Sequence, residues 1–465
     1  IQVVTGKEVP TNGLPIDIGI VSHNMGTAYA VGRAINHGEP LISRIVTVTG
    51  TDVTHAGNFE TLFGTPISEL LAFAETQREP DEPFILGGPM MVSFDHADVQ
   101  LSPAGLEVFD TVQRSLREAG LDTVAYTDAR VEPTDQSFAQ AVAFATETQP
   151  DGYVSVGGGS VIDTAKAADL YATHQADFLD YVNAPIGGGN PVPGPLAPHI
   201  ACPTTSGTGS EVSHSAVLTD KTNQIKVSTQ SNYLRPALAL VDPQLSYSCP
   251  RQVAADSGID ALTHAIEAYT AVEYDRLVVP PGETCAYMGS FPLADCLAEK
   301  AIELIGENLV AAVNDADQQA RDKMALAATL AGMAFSNSGV ALVHALEYPI
   351  GGVLHCSHGA GNGLLLPYVM AFNLPAREAA FAAVARLLGV DTTGLSDHEA
   401  GQKGIERVEK IREQIGIPLR IRELGGSEDQ LPMFAEKTFA IQRLFWLNPR
   451  PASLEDVLEI LQQAY

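Results

Sequence analysis

Asp260 and His264 stand four residues apart in a stretch whose apolar residues Ile259, Leu262, Ile266 and Tyr269 recur at helical spacing. The pattern predicts a helix with both side chains on one face, within reach of a single cation. A lone pair of this kind would be a hydrogen bond more often than a ligand pair. Residues 342–359 add His344, His355 and His358 in an apolar setting. Pro349, Gly351 and Gly352 predict the end of a helix there, and a turn that returns a later His towards an earlier one. One carboxylate with three imidazoles leaves room for an exchangeable substrate oxygen, which is what a Lewis-acid site needs. Fe2+, Zn2+ and Mn2+ all suit such a set, and ligand type does not choose among them. By spacing alone His355 competes for a place in it.

Two turns offer a second kind of chemistry. The apolar residues 153–156 run into Gly157-Gly158-Gly159-Ser160, and residues 161–166 then have helical character. A strand, a Gly turn and a helix start present bare amide N–H groups to an anion. Ser160 and Asp163 form a pair like a capping box, which supports that helix start. The spacing is not GxGxxG, so the common dinucleotide fingerprint is absent. Residues 203–210 form another turn, where Thr204, Thr205, Ser206 and Thr208 could meet pyrophosphate or ribose oxygens. Either turn alone is as easily structural. Two at the ends of neighbouring strands mark the place where open α/β sheets bind ligands. Lys226 could neutralise a phosphate or be an ordinary surface Lys.

These groups need elements to hold them. Leu106, Phe109, Val112 and Leu116 recur at helical spacing, and strands are predicted at 151–156, 199–202 and 237–241. Beyond about residue 250, Ala/Leu-rich helical segments dominate. Residues 16–21 and 44–49 read as short strands in a β-rich leader. The expected layout is therefore a small leader (1–95), an α/β dinucleotide-binding domain (96–249) and an all-helical metal-binding domain (250–465).

The net charge of -29 argues against nucleic acid and anionic membrane as partners. Only nine of the 27 basic residues are Lys. An acidic, Lys-poor surface fits a salt-loving host as well as ordinary solubility. The five Cys make no CxxC pair, which fits a reducing cytoplasm. Residues 1–7 show no signal pattern and read like the interior of a longer chain.

Taken together, GGGSVIDTAK (157–166), PTTSGTGSEVS (203–213), DALTH (260–264) and VHALEYPIGGVLHCSHG (343–359) resemble the iron-containing alcohol dehydrogenase family, over about residues 98–465. The resemblance implies the dehydroquinate synthase-like architecture of that family, with NAD or NADP and Fe2+ as cofactors and a homodimer or larger homo-oligomer as the assembly. It places Asp260, His264, His344 and His358 at metal-ligand positions and leaves His355 outside. Gly158, Gly159, Ser160, Asp163, Thr204, Thr205, Thr208, Ser213 and Lys226 fall at cofactor positions. VEPTDQSF (131–138), DFLDYVNAPIG (177–187) and AYMGSFP (286–292) are most similar to the hydroxyacid–oxoacid transhydrogenase branch. Tyr348 stands where many family members carry His, and that branch carries Tyr; it would assist proton transfer or line the pocket. The branch implies 4-hydroxybutyrate and succinate semialdehyde as one substrate pair, with 2-oxoglutarate and 2-hydroxyglutarate as the other.

Residues 1–92 resemble an internal segment of the C component of the Rnf-type electron-transport complex, without that component's flavin region or Cys clusters. The segment replaces most of the family's first strand, turn and helix, and the strand after them, which ends in a ribose-holding Asp. Asp98 is the candidate for that Asp, with Asp95 as its rival. The chemistry expected is hydride transfer between the nicotinamide C4 and the carbinol carbon of a small alcohol or hydroxy acid held at the cation. Rival readings are a general primary-alcohol dehydrogenase, a lyase of dehydroquinate synthase type, and an inactive fusion acting as a binding module.

Overall fold

The computed structural model describes residues 43–48, 57–62, 96–101 and 106–465. Contacts divide the chain into two compact units, Ile1–Phe84 and Ile85–Tyr465. In the first unit β1 (Ser43–Val48) and β2 (Gly57–Leu62) form an antiparallel pair. The strand expected at 16–21 lies outside the described residues.

The second unit opens with a five-stranded parallel sheet. Its strands are β3 (His96–Leu101), β4 (Asp122–Tyr126), β5 (Tyr153–Gly157), β6 (His199–Pro203) and the two-residue β9 (Leu238–Ala239), in the order β4-β3-β5-β6-β9. Between β6 and β9 the chain forms an antiparallel hairpin of β7 (Ser215–Asp220) and β8 (Ile225–Gln230), which sequence reading did not pick out. Helices α1 (Leu106–Glu118), α2 (Asp135–Thr148) and α3 (Gly159–Thr173) make the crossovers. Burial explains the helical spacing in α1: Phe109 is buried with Val154, Val156 and Cys202, and Val112 and Leu116 pack against that cluster. Parallel pairing sets Gly157 opposite Pro203, so both turns leave the same carboxyl edge of the sheet.

From Arg251 onward the described residues form helices without strands, as expected. The first five are α4 (Arg251–Thr270), α5 (Pro292–Asn314), α6 (Gln318–Ser338), α7 (Leu342–Leu354) and α8 (His358–Asn373). Then come α9 (Glu378–Leu387), α10 (Asp397–Ile415), α11 (Leu431–Phe439), α12 (Gln442–Phe445) and α13 (Leu454–Ala464). The sheet part and the helical part belong to one compact unit, so the boundary expected at 249/250 is a change of secondary structure and not a gap in packing. One core cluster includes Leu170 and Val227 from the first part and Ile259, Leu346 and Leu365 from the second. Among the described residues no single helix is long and apolar enough to cross a membrane.

The helix break expected at Pro349 does not occur: α7 runs through Pro349, Gly351 and Gly352 to Leu354. The two Gly serve close approach instead. A Cβ on Gly352 would lie 2.6 Å from the Ile225 Cα, and one on Gly351 would lie 3.0 Å from the Lys226 Nζ. The helix ends one turn later, where His355 adopts a left-handed conformation with φ 54°.

Candidate metal and cofactor site

Three helices bring the predicted ligands together. Asp260 and His264 project from α4, His344 from the first turn of α7 and His358 from the first residue of α8. One potential ligand atom from each lies within 4.8 Å of all the others. Small residues permit this approach: Ala261, Ala265 and Ala268 are fully buried on α4, and a Cβ on Gly363 of α8 would lie 2.7 Å from the Ile259 side chain. His355 is exposed at the end of α7 and stays outside the cluster.

Buried carboxylates orient two of the imidazoles. Glu267 accepts from His344 Nδ1 at 2.5 Å and from the Val343 amide at 2.7 Å. Glu347 accepts from His358 Nδ1 at 2.6 Å and from Lys226 Nζ at 2.9 Å. Each such bond fixes the tautomer and turns Nε2 towards the centre of the cluster. Asn362, one turn after His358, donates from Nδ2 to Asp260 Oδ1 at 2.8 Å and lies 3.2 Å from Nε2 of both His344 and His358. Sequence reading missed all three groups. Their signal was spacing: Glu267 follows His264 by three residues, Glu347 follows His344 by three, and Asn362 follows His358 by four.

Electrostatics favour an ionised Asp260 and a neutral His264, whereas His358, raised in the free site, must give up its proton before its Nε2 can hold a cation. Burial pushes His264 down to about 3, so it is neutral. Burial works to raise Asp260, but His264, His358 and His344 outweigh it and hold the carboxyl below its ordinary range. Burial likewise opposes charging of His358, and Glu347 overrides that and raises it. His264 Nδ1 is buried without a hydrogen-bond partner, 3.9 Å from Asp260 Oδ2. A buried ring nitrogen with no hydrogen-bond partner, beside a carboxylate, is a donor set that suits a cation. The four residues therefore fit a divalent ion.

At the sheet edge, α3 starts at Gly159 with Gly158 as its cap and no side-chain cap bond. The expected Ser160–Asp163 capping pair does not form, because Ser160 already lies inside the helix. Its hydroxyl accepts from the Glu132 amide at 3.3 Å, and Asp163 accepts from Ser210 Oγ and from the Val217 amide. The two turns touch: a Cβ on Gly159 would lie 2.6 Å from Thr208 Oγ1, and one on Gly158 would lie 3.2 Å from Thr205. Gly209, at φ 62°, needs its missing side chain twice over, since a Cβ there would lie 2.4 Å from the Gly332 Cα. Thr204 donates its amide to Gly157 O at 2.9 Å.

A cavity of about 130 Å³ joins the two halves. Gly159, Ser160, Asp163, Thr208, Ser213 and Lys226 line it, together with the four candidate ligands and Tyr348. Gly158, Thr204 and Thr205 are not among its lining residues. Lys226 is not free for a phosphate: it is buried and paired with Glu132 at 2.8 Å and with Glu347 at 2.9 Å. Glu132, within the 131–138 motif, is thereby a further residue that sequence reading missed as part of the site. Lys166 is also buried, donating to Ser210 Oγ and to the Ser213 and Ser215 carbonyls. Tyr348 is buried, and burial pushes its hydroxyl up to about 12, which favours lining over proton transfer near neutral pH. Asp98 lies away from the turns. It pairs in register with Tyr153, the first residue of β5, about 13 Å along the strand from the carboxyl edge. That position does not suit the ribose-holding role expected of it, and Asp95 lies outside the described residues.

The comparisons agree with this geometry. The family described as "Iron-containing alcohol dehydrogenase" matches residues 97–243, and the "Fe-containing alcohol dehydrogenase family, C-terminal" matches residues 283–465. A mitochondrial hydroxyacid-oxoacid transhydrogenase of Mus musculus is 39% identical over 369 residues, covering 76% of this chain and 79% of its own. An NAD-dependent methanol dehydrogenase of Bacillus methanolicus is 36% identical, covering 79% of this chain and 90% of its own. The crystal structure of a 1,3-propanediol oxidoreductase is similar with a TM-score of 0.71 and 34% identity, over 80% of this chain and 92% of that one.

Proposed function

The chain belongs to the iron-containing alcohol dehydrogenase family of oxidoreductases, and on that premise we propose that it passes hydride between a nicotinamide and the carbinol carbon of a short hydroxy acid. The observation that carries this reading is the single cavity lined by both the Gly159–Thr208 contact and the Asp260, His264, His344 and His358 cluster. A bound divalent ion would supply Lewis acidity to the substrate oxygen, and a nicotinamide would supply or accept the hydride.

The protein's own residues supply positioning. Glu267 and Glu347 hold His344 and His358 in one tautomer, and Asn362 holds the Asp260 carboxylate. The bare amides at the start of α3, next to Thr205 and Thr208, suit a pyrophosphate. With a net charge of -29 there is no general positive field to do this. Phe335, which stacks on the His264 ring at 4.3 Å, and Val340 wall the cavity against water. Tyr348 is assigned to lining.

The hydroxy acid class is supported by the transhydrogenase relatives and by Tyr348. The general primary-alcohol reading rests on the methanol dehydrogenase relative. Cofactor-dependent oxidation of 4-hydroxybutyrate and 1-butanol separates them. Adding 2-oxoglutarate with catalytic NAD then tests transhydrogenation, which yields 2-hydroxyglutarate without NADH accumulating. A clear preference for 1-butanol overturns the hydroxy acid reading. We further propose a cytoplasmic homo-oligomer, a homodimer at least, that acts on small molecules and not on nucleic acid or membrane. Unpaired Cys202, Cys249, Cys285, Cys296 and Cys356 support the compartment.

A further inference from the structure

The cavity lining also includes Ser228, Gln230, Tyr287 and Tyr348, and the Tyr348 ring lies 6.3 Å from that of the candidate ligand His358. Behind Ser228 stands Arg443 of α12, whose Nη2 donates to Ser228 Oγ at 3.3 Å and whose charge also acts on the Tyr348 hydroxyl. Its Nε is buried without a hydrogen-bond partner, and no carboxylate pairs with it among the described residues. The other cations near the cavity are committed. Lys226 is held by Glu132 and Glu347, and Lys166 lies 3.6 Å from Asp163. Arg443 is therefore a half-buried positive charge with no carboxylate partner among the described residues, one hydrogen bond behind the cavity lining, in a chain with 56 acidic and 27 basic residues.

The hydrogen-bond directions sharpen this. Ser228 Oγ accepts from Arg443 and also from Asn183 Nδ2 at 3.0 Å. Two donors fill both lone pairs of a hydroxyl, so its own hydrogen must point elsewhere, as a donor. A guanidinium only donates, so Arg443 offers the Tyr348 O–H no acceptor. Two hydroxyls at the wall, with Ser228 left to donate and one guanidinium near both, complement an anion.

We infer that Ser228, Tyr348 and Arg443 form the corner that recognises the remote carboxylate of the substrate. This rests on the hydroxy acid reading above and extends it to the residues that select the acid. The corner distinguishes a hydroxy acid from a neutral alcohol of equal length because only the acid satisfies the two donors and the charge behind them.

The test uses the full chain loaded with cation and NAD. kcat/KM is measured for 4-hydroxybutyrate and 1-butanol, and butyrate, which has the carboxylate but no alcohol, is assayed as a competitive inhibitor. In Arg443→Met the ratio of acid to alcohol should fall at least tenfold, mainly through KM, and butyrate inhibition should be lost. Arg443→Lys should restore part of both. Ser228→Ala and Tyr348→Phe should each lower the ratio by a smaller factor, and they carry the test if Arg443→Met does not fold. If the wild type prefers the acid and all variants keep its ratio and its butyrate inhibition, the corner is refuted and the hydroxy acid reading stands. If the wild type prefers 1-butanol while Arg443→Met alone loses butyrate inhibition, the corner stands and that reading falls. A wild type that prefers 1-butanol and ignores butyrate refutes both.

Discussion

Glu347 accepts a hydrogen bond from His358 Nδ1 at 2.6 Å while the same carboxylate receives Lys226 Nζ at 2.9 Å. A fully buried carboxylate thus couples a candidate-ligand imidazole to a Lys on the β7–β8 hairpin. Glu347→Gln keeps the shape but removes the charge that sets the His358 tautomer. Losing such a partner typically weakens metal binding by 10–100-fold, about 1.4–2.7 kcal/mol. Chelator competition against the wild type checks it, and unchanged affinity would reduce Glu347 to a packing group.

Gly159→Ala tests the contact between the two turns. The added Cβ meets Thr208 at 2.6 Å, so Thr208 must move and its bond from the Ser210 amide at 3.2 Å is disturbed. The expected result is weaker NADH binding, by roughly tenfold or about 1.4 kcal/mol, with metal affinity unchanged. NADH fluorescence titration reads the first and chelator competition the second. Equal NADH affinity would detach the turns from the cofactor.

Asp169 provides a pH test remote from the chemistry. It is buried on α3, accepts from the Ala197 amide and Thr173 Oγ1, and burial pushes its carboxyl up to about 7. The folded state then holds a proton that the unfolded state releases between about pH 4 and pH 7, so stability falls as pH rises through that window. The gap from the ordinary 3.8 to about 7 corresponds to at most about 4 kcal/mol. Asp169→Asn lacks this slope, and its Tm should gain on the wild type between about pH 4 and pH 8. A constant Tm difference across that range would contradict the assignment.

Residues 1–92 are expected to take no part in the chemistry, because the family matches begin at residue 97. The purified protein should show no flavin absorbance and no iron–sulfur signal. Either signal, traced to this segment, would overturn the expectation.

What was legible in the sequence follows from distance along the chain. Asp260 and His264 share one helix face, and the i, i+4 spacing shows it without any tertiary structure. His344 and His358 belong to different helices, so spacing could not separate His358 from His355; the left-handed turn at His355 does that. Gly351 and Gly352 read as a break because their neighbours on β8 are more than 120 positions away in sequence. Lys226 read as a phosphate ligand for a similar reason: Glu132 and Glu347, which neutralise it, lie 94 and 121 residues away. The β7–β8 hairpin, short and polar in places, carried no strong alternation to reveal it.

The central claim is that Asp260, His264, His344 and His358 hold one divalent cation on which turnover depends. Metal content and NAD-dependent 4-hydroxybutyrate oxidation, measured on the same anaerobic, Fe2+-reconstituted samples of wild type, His264→Ala and His358→Ala, test it most directly. The account predicts about one ion per chain and turnover in the wild type, with both sharply reduced in each variant while far-UV circular dichroism stays native. Unchanged metal content with near-normal activity in either variant would contradict it.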